Sequence, residues 1–191
     1  MKENDQRVRI TKLLIKKTFT ELLTKKPIQK ISVKELCEKA GINRGTFYSH
    51  YEDIYDLLEK IENEMLEEFK IQLSPILTSS EADLTSLDFF ISIFKFLANH
   101  SDICIIMFSE TGDKTFVAKM LELGKAQCIS AYTKHFKNAS PDQIEHFYSF
   151  VSAGCISILV KWLEGGMKDS IDDLAKTTEE LISCTIKYLE S

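Results

Sequence analysis

The sequence predicts an all-α protein, a small head of three helices followed by a larger helical body. Three observations carry this. The 191 residues hold only 7 glycines and 3 prolines, few interruptions for a chain this long. Apolar residues recur at three- and four-residue spacing through most of it. Start and stop signals frame those runs: Ser32 with Glu35, Ser140-Pro141-Asp142-Gln143, Gly41 and Gly165-Gly166.

The first helix is expected from about Asp5 to Thr24, with Ile10, Leu13, Leu14, Phe19, Leu22 and Leu23 as its apolar residues. Pro27 follows its end, and Ile28 and Ile31 anchor the loop. Ser32 then opens a short helix with Val33, Leu36, Cys37 and Ala40 on one face, and Gly41 closes it. Asn43 can cap the next helix, Arg44 to Tyr51, in which Phe47, and Tyr51 with it, is read as core. Asp53 can cap a long fourth helix to about Leu73, carrying Ile54, Leu57, Leu58, Ile61, Met65 and Phe69. Ser74 to Asp83 reads as a loop around Pro75.

In the body, Leu84 to Asn99 is a Phe-rich helix. Ile103 to Phe108 is read as a short buried helix, broken by Gly112-Asp113. Thr115 to Lys137 is the next. Pro141 to Leu163 is apolar over a wide arc, which implies a second packing partner beyond the chain's own core. Ile171 to Glu190 is the last.

Charge is divided along the chain. Residues 1–51 hold 12 basic and 5 acidic side chains, +7; residues 52–191 hold 12 and 24, −12. A basic head on an acidic body suits nucleic-acid binding by the head alone. No apolar run approaches membrane-span length, and the charged start does not resemble a secretory signal, so no membrane partner and a cytoplasmic location are expected. Five widely spaced cysteines without a C-x-x-C pair read as reduced thiols. There is no G-x-S-x-G, phosphate-binding glycine loop or H-E-x-x-H, and His100, His135 and His146 lack metal-ligand spacing. No enzyme, cofactor or metal site is expected.

The stretch AGINRGTFYSHYEDIYDLL resembles the signature of TetR/AcrR-type transcriptional regulators. FSETGDKTF near residue 108 and WLEGGM near residue 162 resemble the C-terminal domain of a Firmicutes subgroup of that family. The resemblance implies a helix-turn-helix DNA-binding domain over residues 1–52 and a ligand-binding and dimerisation domain over 53–191, with helix 53–73 as connector. It implies a homodimer, in function a repressor, on a palindromic double-stranded DNA operator, released by a small-molecule effector. A coactivator or adaptor acting through protein partners is the alternative.

Chemistry and resemblance together nominate the DNA-contact residues. Arg44 can reach a guanine edge or a phosphate, Gly45 permits close backbone approach, and Thr46 can meet a thymine methyl. Tyr48 and His50 occupy positions resembling the family's phosphate contacts. Ser32 and Lys34, with Tyr55, Arg7 and Arg9, are further backbone candidates. The family's lysine near the start of the fourth helix is missing from Glu52-Asp53-Ile54-Tyr55. An apolar or aromatic effector is expected among Phe90, Phe94, Met107, Phe108, Met120, Phe147 and Phe150. The last two helices are expected to build the dimer interface from Val151, Cys155, Ile158, Trp162, Leu181, Thr185 and Tyr188.

Overall fold

A computed structural model describes residues 2–77, 87–108 and 114–190. Among these there is no strand. The helices are α1 (Lys2–Leu23), α2 (Val33–Ala40), α3 (Arg44–Tyr48), α4 (Ile54–Leu77), α5 (Leu87–Asn99), α6 (Ser101–Met107), α7 (Lys114–His135), α8 (Pro141–Glu164) and α9 (Ile171–Glu190). A single 3₁₀ turn, Ile28–Lys30, lies between α1 and α2. The chain packs as two units, Met1–Met65 and Leu66–Ser191. The expected boundary lies at residue 52, with helix 53–73 as connector; by packing, the first half of α4 goes with the head.

The head closes around Ile15, Phe19, Leu22, Leu36, Cys37, Phe47, Tyr51, Ile54 and Leu57, all buried. The expected stripe of α1 is corrected here. Ile10, Leu13 and Leu14 are exposed, because the core is short and takes only the second half of the helix. Ile15, Phe19 and Leu22 supply it, at the i, i+4, i+7 spacing of one face.

Each head helix has a local cause. The Ser32 hydroxyl accepts from the Glu35 N–H at 3.2 Å. The reciprocal half of that capping box is diverted, since the Glu35 carboxylate takes the Lys26 ammonium at 2.6 Å. α2 ends on Gly41 at φ 66°, ψ 31°, and the Ile42 N–H returns to the Cys37 carbonyl at 3.0 Å. A Cβ at Gly41 would meet nothing within 4 Å, so backbone conformation alone calls for glycine there.

In the body, α8 begins with a complete capping box between Ser140 and Gln143 and carries Pro141 in its first turn. Phe90, Phe94, Phe96, Leu97, Phe116, Ile144, Leu159, Trp162, Leu163 and Ile182 fill the interior. Ile103–Phe108 is helical through Met107, as expected. The expected loop at Ser74 is corrected: α4 continues through Pro75 to Leu77. The expected break at Gly112-Asp113, and residues 78–86, lie outside the described residues.

α8 is long and apolar enough to cross a membrane by length and composition, which the sequence reading did not anticipate. Core helices of soluble proteins pass the same test. Only 28% of its most apolar stretch is buried within the chain, so much of its apolar surface is uncovered.

Candidate nucleic-acid interface and apolar cavity

The turn between α2 and α3 sets up the first site. The Asn43 side chain accepts from the Thr46 N–H at 2.7 Å and from the Thr46 hydroxyl at 3.0 Å. It thereby caps α3 and fixes the Thr46 rotamer. A Cβ on Gly45 would stand 3.3 Å from that capping oxygen, so glycine also leaves room for the cap. The helix itself is five residues long, ending at Tyr48 rather than continuing to Tyr51. Phe47 is fully buried and holds Tyr48 edge-on and Tyr51 tilted, both at 5.5 Å between ring centroids.

Burying Phe47 leaves its neighbours outward. Arg44, Gly45 and Tyr48 are exposed, Thr46 and His50 half-buried, and Ser32, Lys34 and Tyr55 exposed. Arg7 and Arg9 are exposed on α1. All ten nominated contact residues therefore sit in the head with accessible surface, on α1, at the cap of α2 and on it, on α3, in the turn after it, and at the start of α4. Lys34 makes a loose 3.8 Å approach to Glu38.

The acids after Tyr51 have structural work. Asp53 Oδ1 accepts the N–H groups of Tyr55 and Asp56, each at 2.8 Å. Asp56 accepts the Glu52 N–H at 2.8 Å and the Lys60 ammonium at 2.8 Å. That ammonium and the amide hold the Asp56 carboxyl below its usual range. Both acids thus sit on the positive end of α4. Lys60 also donates to the His50 carbonyl at 3.2 Å and lies 5.4 Å from the Tyr51 ring centre. The sequence reading missed Lys60; its i, i+4 spacing from Asp56 was the available signal.

Burial, aided by the carboxylates of Glu64 and Asp56, pushes the Tyr51 phenol up to about 12. An unfolded phenol ionises near 10. Between those values the folded head binds more protons than the unfolded one, so its stability is full below about pH 10 and falls as pH rises toward 12. Tyr51→Phe should remove this alkaline loss from the head's unfolding transition, as read by denaturant titration at about pH 9 and about pH 11.5. An unchanged loss would show that Tyr51 is not its source.

The body holds the second site, a cavity of about 140 Å³. Phe69 and Leu73 of α4, Phe90 and Phe94 of α5, and Met120 and Cys128 of α7 line it, together with Phe108 and residues of α8. Four expected lining residues, Phe90, Phe94, Phe108 and Met120, are therefore together. Three are not. Met107 is buried elsewhere, Phe147 packs against Tyr132 with centroids 5.2 Å apart, and Phe150 is 65% exposed. The reading missed Tyr148, whose hydroxyl donates to the Leu121 carbonyl at 2.9 Å. Burial pushes its phenol up to about 12, and the Cys128 and Cys155 thiols up to about 11. The thiols are accordingly neutral, apolar wall.

The expected interface residues also divide. Val151 and Cys155 line the cavity, and Trp162 is buried with its indole N–H donating to the Asp169 carbonyl at 2.9 Å. Ile158 and Thr185 are half-buried. Leu181 and Tyr188 are exposed, and Phe150, Ala153, Gly154 and Ser157 form the outward surface of α8. One wide apolar arc proves to be two surfaces, one facing the cavity and one facing out. Among the described residues no cluster of three or more metal-ligating side chains occurs.

Known proteins share both parts. Residues 18–61 match the model of "Bacterial regulatory proteins, tetR family", and residues 85–184 match "Transcriptional regulator C-terminal region". An uncharacterized HTH-type transcriptional regulator, YxbF of Bacillus subtilis, is 38% identical over 53 residues, 28% of this chain. The matched segment spans only 14% of that relative's length. The fatty acid degradation regulator FadR of Bacillus halodurans has a similar fold, with TM-score 0.68 at 15% identity over 90% of this chain and 94% of that one. FadR of Bacillus subtilis, solved in complex with stearoyl-CoA, gives 0.67 at 15% identity over 89% and 96%. Head and body together place the chain in the TetR family of transcriptional regulators, to which it belongs.

Proposed function

We propose that this regulator is a homodimeric repressor that binds a near-palindromic DNA operator and is released by a small apolar effector. The observation that carries the DNA reading is the outward set on α3. Arg44, Gly45 and Tyr48 are exposed around a buried Phe47, on a segment, residues 1–51, of charge +7 from 12 basic and 5 acidic groups, the acids of the head being concentrated in the first half of α4. Arg44 is the side chain suited to a guanine edge; Tyr48, His50, Ser32, Lys34 and Tyr55 suit phosphates. The missing lysine at Glu52-Asp53-Ile54-Tyr55 is partly offset, because Asp53 is engaged in capping α4 and Lys60, paired with Asp56, reaches the His50 carbonyl.

The dimer reading rests on the uncovered apolar surface of α8 and α9. Phe150, Leu181 and Tyr188 are exposed on them, and a second copy would cover them by two-fold symmetry. Two heads would then meet half-sites separated by a helical turn or a small multiple, roughly 34–36 Å each. The effector reading rests on the apolar cavity. A ligand shifts such a protein only if it prefers one of two states, and Phe69 and Leu73 give the cavity a wall on α4 itself.

Selection of a randomised duplex library by the purified protein tests the whole reading. An enriched sequence with two inverted half-sites is the expected result; a folded protein that enriches nothing would overturn it. The residue assignment has its own test. Tyr48→Ala combined with His50→Ala should weaken binding to every duplex by about tenfold or more, since each removes a charge-assisted contact, and should leave self-association intact. Unchanged affinity would sink the assignment. Affinity should also fall steeply and linearly on a log–log plot against salt, as phosphate contacts require.

A further inference from the structure

Gly124 lies in the middle of α7, where glycine is the poorest residue short of proline. The usual reasons for a helix glycine are missing. It has no positive φ: among the described glycines only Gly41 and Gly166 do. It does not cap, since α7 continues to His135. It does not admit a close neighbour, because an added Cβ would meet nothing within 4 Å. What remains is its position. Gly124 lines the apolar cavity, and the room a side chain there would take is empty.

The walls around that room restrict what can enter. No Asp, Glu, Lys, Arg or His is among the described residues lining the cavity. The hydroxyls of Tyr148 and Ser152 are already turned onto the carbonyls of Leu121 and Ser149, at 2.9 and 3.2 Å. An ionised ligand group would find no opposite charge on these walls to offset the hydration it loses. The volume, about 140 Å³, is near that of an apolar cavity of about 150 Å³ known to hold benzene.

We propose that Gly124 sets the bore of this cavity, and that the ligand group it admits is an uncharged single aromatic ring or an alkyl group of similar bulk. This deepens the effector reading and rests on it for its biological role, though not for the binding itself.

The chain carries a reporter. Its one tryptophan, Trp162, lies 6.3 Å from the ring of Phe94, which lines the cavity. Toluene should change Trp162 emission saturably, with benzoate and benzylamine binding at least tenfold more weakly. Gly124→Phe should weaken toluene binding at least tenfold with far-UV circular dichroism unchanged. Gly124→Ala, a better helix former, should raise the melting temperature and bind toluene within about threefold of the parent. If the phenylalanine variant does not fold, Gly124→Leu takes its place. Equal binding of toluene and benzoate, wild-type affinity in the bulky variant, or no toluene binding would each overturn the proposal. Competition with operator DNA separates the two readings. Toluene that binds and is excluded by Gly124→Phe, yet leaves DNA affinity unchanged, keeps this inference and removes the effector role.

Discussion

Phe47→Ala should unfold the head while the body stays folded. Phe47 is fully buried and carries the ring contacts to Tyr48 and Tyr51. Truncating such a phenylalanine costs about 3–5 kcal/mol, transfer and cavity terms together. A unit the size of Met1–Met65 has roughly 3–10 kcal/mol of stability in all, at 0.05–0.15 kcal/mol per residue. One substitution therefore removes much or all of it. The two units can be followed separately, because Trp162 belongs to the body while far-UV circular dichroism sees both. The expected record is an early loss of helical signal with Trp162 emission melting at the parent temperature, and no operator binding. A head transition at the parent temperature would show that this ring does not anchor α3.

Phe150→Glu should turn the proposed dimer into a monomer without unfolding it. Phe150 is 65% exposed, so the folded chain loses little by the change. In a dimer the same side chain would be covered, and a buried unpaired carboxylate is costly. Loss of an aromatic anchor adds about 2 kcal/mol or more. The dimer dissociation constant should rise on the order of 100-fold or beyond, as measured by sedimentation equilibrium. Operator affinity should fall with it, by on the order of 10²–10⁴, because the second half-site would no longer be bound intramolecularly. Unchanged self-association would place the interface elsewhere.

Much of the fold was legible because its boundaries are chemical. Ser32, Asn43, Asp53 and Ser140 are short oxygen-bearing side chains before apolar periodic runs, and each caps where expected. Gly41 stops α2 for the backbone reason that names glycine. The errors share a different character. Pro75 reads as a helix end, but a proline near the last turn removes one hydrogen bond without stopping the helix. Ile10, Leu13 and Leu14 keep helical spacing yet lie beyond the reach of a small core. Periodicity gives the faces of a helix but not what each face meets.

That limit shaped the reading of the sites. Phe150 and Val151 are adjacent on a helix apolar almost all round, and only the packed chain separates the exposed ring from the cavity wall. Trp162 was a reasonable interface residue by composition, and its bond to Asp169 is invisible at that level. Gly124 gave no signal, since a glycine in a helix does not announce empty space beside it.

The two ends of α4 are held very differently. At its start, Asp53 and Asp56 accept three backbone N–H groups and Lys60 closes the cluster. Near its finish, Pro75 has no N–H to return to the Ile71 carbonyl. That turn therefore has one backbone hydrogen bond fewer, and it adjoins Leu73, a buried wall of the cavity. A guest settling against Leu73 would add packing beside the turn that lacks that hydrogen bond, and any freedom the turn lost would be drawn from the guest's affinity. What such a guest would deliver to α4 is order as well as displacement, a currency that a comparison of average positions would miss.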